Sequence, residues 1–95
     1  MAGTIEGSVV SIAENGNIVS DISHERLRGV PTGAAVTIRC DEHETHGIFG
    51  QDHEQPKATL IAVVGQSGNL ELEIVGLEAN LMLSIQVGEK LLVRW

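Results

Sequence analysis

Apolar side chains in this chain come in short bursts that alternate with polar ones and are closed by Gly, Asn, Ser or Pro. The longest uninterrupted run, LIAVVG, reaches only from Leu60 to Gly65. A period of two broken this often does not build helices, whereas it suits strands joined by tight turns. Eleven Gly residues supply the breaks, and ten Val and nine Ile supply β-branched side chains that pack well on a pleated surface. No run approaches the ~20 apolar residues of a membrane-spanning helix. Ninety-five residues make one domain, 1–95, with one modest core. Phe49 and Trp95 are the only aromatics, so that core rests on branched aliphatic groups, each contributing about 1.5–3 kcal/mol when fully buried.

Along the chain, Thr4 to Ile12 places Ile5 and Val9 on one parity but Val10 and Ile12 on the other, which predicts a bulge near Val9 and Val10. Glu14-Asn15-Gly16 is a turn, since Asn and Gly tolerate positive φ. Asn17 to Ile22 then sends Ile18, Ser20 and Ile22 inward. Ser23 to Leu27 reads as one helical turn with Ser23 as N-cap, leading into a loop with Gly29, Pro31 and Gly33. Ala35 to Cys40 and Glu44 to Gly50 resume strand character, Ala58 to Gly65 is apolar on both faces, and Leu70, Leu72 and Ile74 alternate with Asn69, Glu71 and Glu73 as a half-exposed strand. Leu77 to Ile85 fits a short helix or another strand, and a Gly88-Glu89 turn precedes a last strand, Lys90 to Trp95. The expected fold is all-β: a single small, closed or nearly closed Greek-key barrel of about six or seven strands with one or two short helical turns.

Six Lys and Arg against thirteen Asp and Glu give a formal charge of −7, which repels nucleic acid and anionic membranes. The lone Cys40 cannot form an internal disulfide, and MAGTIEGSVV has neither a basic nor an apolar leader region, so the cytoplasm is the expected compartment.

Three segments carry groups capable of chemistry. Cys40 to Glu54 holds three His, five carboxylates and no Lys or Arg, and within it Cys40, His43, His46 and His53 offer a thiolate and imidazole set that zinc accepts. It also reads as a solvated acidic hairpin that protects a sheet edge. Glu14 to Asn17 with Ser20 and Asp21, and Gly65 to Asn69, are polar turns at strand ends that can present amide, hydroxyl and backbone N–H groups to a small ligand; the same residues are ordinary turn formers. No phosphate loop, nucleophile elbow or acid, base and nucleophile set is visible, so neither catalysis nor a cofactor is expected of this chain alone.

Taken in order, the two polar turns carry a resemblance. The stretch GTIEGSVVSIAENGNIVSDI is similar to the opening of the C-terminal barrel domain of the S-adenosylmethionine hydroxide adenosyltransferases, or SAM hydrolases, and their fluorinase relatives, which read roughly G-x-V-x-x-I-D-x-F-G-N-x-x-T-N-I. VVGQSGNLELEIVGLEANLMLSIQVGEKLLVRW resembles their ending, where a Ser-Ser-Gly or Ser-Arg-Gly turn leads into L-E-I-A, a small-residue segment, a Gly-Asp turn and a last strand; SHERLRGVPTGAAVTI fits their connector and third strand.

The resemblance implies a barrel that closes an active site whose catalytic Asp sits on an N-terminal α/β domain absent from these residues. It implies a trimer, in which each barrel closes a neighbour's site. Residue by residue, Asn17 takes the place of the Asn that hydrogen-bonds the adenine edge, while Asn15 stands where the family has Phe, and Ser20 and Asp21 replace a Thr and an Asn. Phe49 falls near a family aromatic, Gln66 and Ser67 replace the pair that holds the methionine carboxylate, and Ile74 and Gly76 occupy positions whose backbone approaches adenine. The expected role is a non-catalytic self-association or partner-docking module. The alternatives are an inter-subunit site for adenosine or S-adenosylmethionine, the second half of a split SAM-hydrolysing enzyme completed by a separate catalytic domain, and a metal-binding protein.

Overall fold

The computed structural model describes residues 2–95. Its strands are β1 (Thr4–Ile12), β2 (Ile18–Ser23), β3 (Thr37–Cys40), β4 (His43–His46), β5 (Ile48–Phe49), β6 (Leu60–Val64), β7 (Asn69–Ile74) and β8 (Lys90–Arg94). A 3-10 turn at His24–Leu27 and a short helix, α1 (Ala79–Leu83), complete the elements. The strands form one sheet in the order β4-β3-β8-β1-β2-β7-β6-β5, antiparallel throughout except between β5 and β6.

β4 and β5 lie at the two ends of that order, yet only Gly47 separates them in the chain. A flat sheet cannot satisfy both facts, so the sheet curls until its edges meet in a nearly closed barrel. Gly47 makes the crossing at φ +88, a conformation that disfavours a side chain. Its N–H donates to Val36 O at 3.1 Å, and Ile48 N–H donates to Thr32 O at 2.9 Å. The seam is bridged by Thr45 on β4, whose hydroxyl donates to Leu60 O on β6 at 2.9 Å. Because Gly47 divides the single strand expected over Glu44 to Gly50, the barrel has eight strands rather than six or seven.

The expected bulge is present. β1 pairs with β8 from Thr4 to Ser8 and with β2 from Val9 to Ile12, and the register shifts between Val9 and Ser11. The irregularity lets one long strand bend from one neighbour to the other. The 3-10 turn starts after Ser23 as expected, although the Ser23 side chain makes no capping bond. α1 takes the helical option for Leu77 to Ile85, burying Ala79 and Leu83 and leaving Leu81 and Met82 in solvent.

Inward-facing aliphatic groups fill the barrel: Ile18 and Ile22 of β2, Ile38 of β3, Leu70 and Leu72 of β7, and Leu91 and Val93 of β8 are fully or almost fully buried. Trp95 packs at the margin of this core against Gly3, where a Cβ would overlap the indole. β7 departs from the half-exposed strand its alternation predicts. Leu70, Leu72 and Ile74 do face inward, but Glu71 on the opposite face is only 4% exposed. Turns and neighbouring side chains cover that face as well. Among the described residues no helix is long and apolar enough to cross a membrane.

Candidate functional site

On the outer face of the sheet, Val19 of β2 and Val63 of β6 lie directly opposite Glu71 of β7. This row is the floor of a cleft of about 630 Å³, open to solvent on one side. The turn before β2 contributes Glu14, Asn15 and Asn17, the turn before β7 contributes Gly65, Gln66 and Ser67, and the loop after β5 contributes Gln51 and His53. A volume of this size accommodates a small organic ligand.

Glu71 organises the cleft. Asn17 Nδ2 donates to Glu71 Oε1 at 3.0 Å, Ser67 Oγ donates to Glu71 Oε2 at 2.6 Å, and Ser67 N–H approaches the same Oε2 at 3.4 Å. A buried carboxylate requires donors of this kind. Backbone geometry makes room for them. A Cβ on Gly65 would overlap the Glu71 carboxylate. Asn15 Oδ1 accepts the Asn17 N–H at 3.0 Å, which, with Gly16 at φ +89, shapes the turn that aims Asn17.

The opposite wall is also acidic. Glu73, two residues along β7, lies 3.5 Å from His53 Nε2. His53 Nδ1 accepts the Gln55 N–H at 3.1 Å, which leaves the ring proton on the Nε2 that faces Glu73. Behind His53 stands Phe49, edge-on with ring centroids 6.3 Å apart; Phe49 supports the wall without lining the cleft. Glu14, Glu71 and Glu73 line the cleft and no Lys or Arg does. A neighbouring hollow of about 370 Å³ shares Asn15, Asn17 and Glu73 and adds Ile74 and Gly76.

The structure thus brings Asn17, Gln66 and Ser67 to one cleft and Ile74 and Gly76 to its annex, with Phe49 one layer behind. Ser20 and Asp21 lie elsewhere. Ser20 is buried within the barrel wall, where its hydroxyl donates to Leu70 O at 2.6 Å and accepts the Ile22 N–H at 3.2 Å, replacing ladder bonds where the β2–β7 register shifts. Asp21 is exposed and accepts the Ser8 N–H at 2.9 Å.

The four residues with metal-ligand chemistry do not converge. His43 and His46, three apart on β4, face opposite sides, as period two dictates. His43 Nε2 donates to Leu83 O at 3.0 Å, His46 is in solvent beside Thr37, and His53 belongs to the cleft. Cys40 is wholly buried, and desolvation, followed by the negative charges of Glu89 and Asp41, pushes its thiol up to about 11. Ligand atoms of Asp41, Glu42 and His43 do lie within 4.8 Å of one another, at an exposed hairpin tip.

Glu71, Glu73 and Gln51 are cleft residues that the alternating pattern assigns to solvent or passes over. The available signal is the company Glu71 keeps: a polar Gly65 to Gly68 turn immediately before a strand in which it stands between Leu70 and Leu72.

The family model for the SAM hydroxide adenosyltransferase C-terminal domain matches residues 7–92. The chain belongs to that family. Two solved structures share the fold of this adenosyltransferase C-terminal domain. One, an uncharacterized conserved protein from Thermotoga maritima, has a TM-score of 0.75 and 19% identity over 95% of this chain and 35% of its own. The other, a conserved hypothetical protein from Thermus thermophilus, has a TM-score of 0.68 and 17% identity over 90% of this chain and 33% of its own. The domain therefore spans about a third of the length of each. No curated protein matches it.

Proposed function

We propose that this adenosyltransferase C-terminal domain is a docking module that supplies one wall of an adenosine or S-adenosylmethionine site, completed by a second polypeptide surface. The observation that supports the reading is the convergence of Asn17, Gln66 and Ser67, from turns far apart in the sequence, on one cleft open on one side. Had these turns lain at opposite ends of the barrel, a shared ligand would be sterically excluded. Exposed apolar groups, Leu77 lining the annex and Leu81 at 68% and Met82 at 60% on the helix that follows it in the chain, favour a partner surface over solvent. The partner is a catalytic domain on a separate chain, or a further copy within a homotrimer. A buried, unpaired Cys40 suits a reducing compartment such as the cytoplasm.

Calorimetric titration with adenosine, S-adenosylmethionine and methionine, combined with a light-scattering mass, tests this. Heat with adenosine and a mass above that of one chain are the expected results. A monomer that gives no heat at millimolar ligand and acquires none with a catalytic domain present overturns it.

A further inference from the structure

The hydrogen bonds around Glu71 run in an unusual direction for an open polar cleft, because the fixed donors point into the protein. Both donors of Ser67 and one amide proton of Asn17 end on the Glu71 carboxylate, and His53 turns its Nε2 proton toward Glu73. What remains for a ligand is acceptor only among the charged groups, the Glu14 and Glu73 carboxylates, beside the neutral amides of Asn15, Gln51 and Gln66 and the Oδ1 of Asn17.

We propose that Glu71 is the specificity-determining residue of this cleft: by holding Ser67 and Asn17 on its own oxygens it makes the cleft accept neutral or cationic ligands bearing N–H donors and reject anionic ones. Two physical effects act together. The buried carboxylate repels an incoming anion at short range, where little water screens it. It also occupies the Ser67 hydroxyl and backbone N–H that would otherwise form an anion-binding turn, so an anion meets no Lys or Arg and only the neutral side-chain donors of Ser11, Asn15, Gln51 and Gln66. Glu73 contributes repulsion as well, but it is more exposed and holds none of the Ser67 or Asn17 donors. The inference rests on the nucleoside reading above and goes beyond it by naming the residue that sets ligand charge.

The test uses three ligands that share one base: adenosine, cationic 5′-amino-5′-deoxyadenosine and anionic adenosine 5′-monophosphate. Each is titrated into the full chain by calorimetry. The wild-type protein is expected to bind the amine at least as tightly as adenosine, and the monophosphate at least tenfold more weakly. Glu71→Gln should narrow the gap between adenosine and monophosphate tenfold or more, whereas Glu73→Gln, which removes a charge without releasing Ser67, should narrow it less than threefold. The Asn17 side-chain amide gives an independent readout by nuclear magnetic resonance. Its protons should be protected from exchange in wild type and lose that protection in Glu71→Gln. If Glu71→Gln does not fold, wild type decides alone: monophosphate bound as tightly as adenosine overturns the proposal. An unchanged gap in folded Glu71→Gln also overturns it while leaving the nucleoside reading intact. Absence of binding by all three ligands, both for the chain alone and with a catalytic domain present, overturns both.

Discussion

Asn17 and Glu71 stand 54 positions apart in the sequence and meet through a 3.0 Å hydrogen bond that ties the turn before β2 to the middle of β7. The bond keeps a buried carboxylate supplied with a donor, so removing the donor costs more than an exposed contact would. Asn17→Ala should destabilise the fold by about 1–3 kcal/mol, the range for stranding a buried polar group, read by urea denaturation. Asn17→Asp is a sharper probe. It places a second carboxylate beside the first, raising the pKa of the pair in the folded state above the unfolded value. Stability in that variant should therefore be lower at pH 7 than at pH 5, where one of the two carries a proton, and wild type should show a smaller change over that range.

Gly65 leaves space that the Glu71 carboxylate fills, and the two positions should be energetically coupled. Gly65→Ala should cost about 1–3 kcal/mol, because the new methyl group displaces the carboxylate from Ser67 or shifts the turn. In Glu71→Ala the obstacle is gone. A double-mutant cycle should then give a coupling of about 1 kcal/mol or more, since residues in one network do not add independently. Simple additivity of the two changes would show that Gly65 is required for some other reason.

The strand pattern is legible because most of the barrel obeys period two: Ile18, Ile22, Leu70, Leu72, Leu91 and Val93 all face inward as their parity demands. The β1 bulge is equally plain, since the apolar residues change parity along the strand, from Ile5 and Val9 to Val10 and Ile12. The division at Gly47 is hidden because a glycine inside a weak strand reads as a bulge as readily as a crossing, and only closure of the whole sheet demands the second. Glu71 escapes notice for a related reason. Parity assigns its face correctly, but whether that face is wet depends on turns from elsewhere folding over it. Asn17 and Ser67 come into view as members of polar turns and of a family motif, but nothing local to either signals the carboxylate that joins them.

Closure of the barrel depends on a backbone conformation that a side chain strains. Gly47→Ala at φ +88 should cost about 1–3 kcal/mol, although no atom comes nearer than 3.4 Å to the added Cβ. Because the strain falls at the junction of β4 and β5, it should loosen the seam before the rest. Amide exchange is the appropriate measurement. The Gly47 and Ile48 amides, bonded to Val36 O and Thr32 O, should lose protection in the variant while those of β1 and β8 keep theirs.

Cys40 sits with Val36 and Ile38 in the core, and its thiol is raised from 9.0 to about 11 by burial, with Glu89 and Asp41 adding to the shift. At pH 8 the group is a protonated thiol in the native state, so it should resist alkylation until the chain unfolds and then react at the rate of an ordinary cysteine. The linkage has a definite sign. Below pH 9 the thiol is protonated in both states and stability is indifferent to it; between 9 and 11 the unfolded chain gives up its proton and the folded one does not. Stability is therefore lost as pH rises through that window, by on the order of 2 kcal/mol. Cys40→Ala should flatten that part of the curve, and a wild-type thiol alkylated at full rate in native buffer would contradict the burial that causes it.

Leu81 and Met82 lie on the outer side of α1, while Ala79 and Leu83 on the same helix pack inward. Charging the outer pair therefore separates association from folding. In Leu81→Glu with Met82→Lys, thermal and urea unfolding of the chain should stay within about 0.5 kcal/mol of wild type, as expected for surface sites without special contacts. Association, by contrast, should weaken, because a desolvated charge inside an apolar contact has no partner to offset its burial. The measurement is mass by light scattering across a concentration series, with and without a catalytic domain. A complex as tight as the wild type's, in a variant of unchanged stability, would move the docking surface away from α1 and leave the cleft to be closed from the opposite wall, past Gln51 and His53.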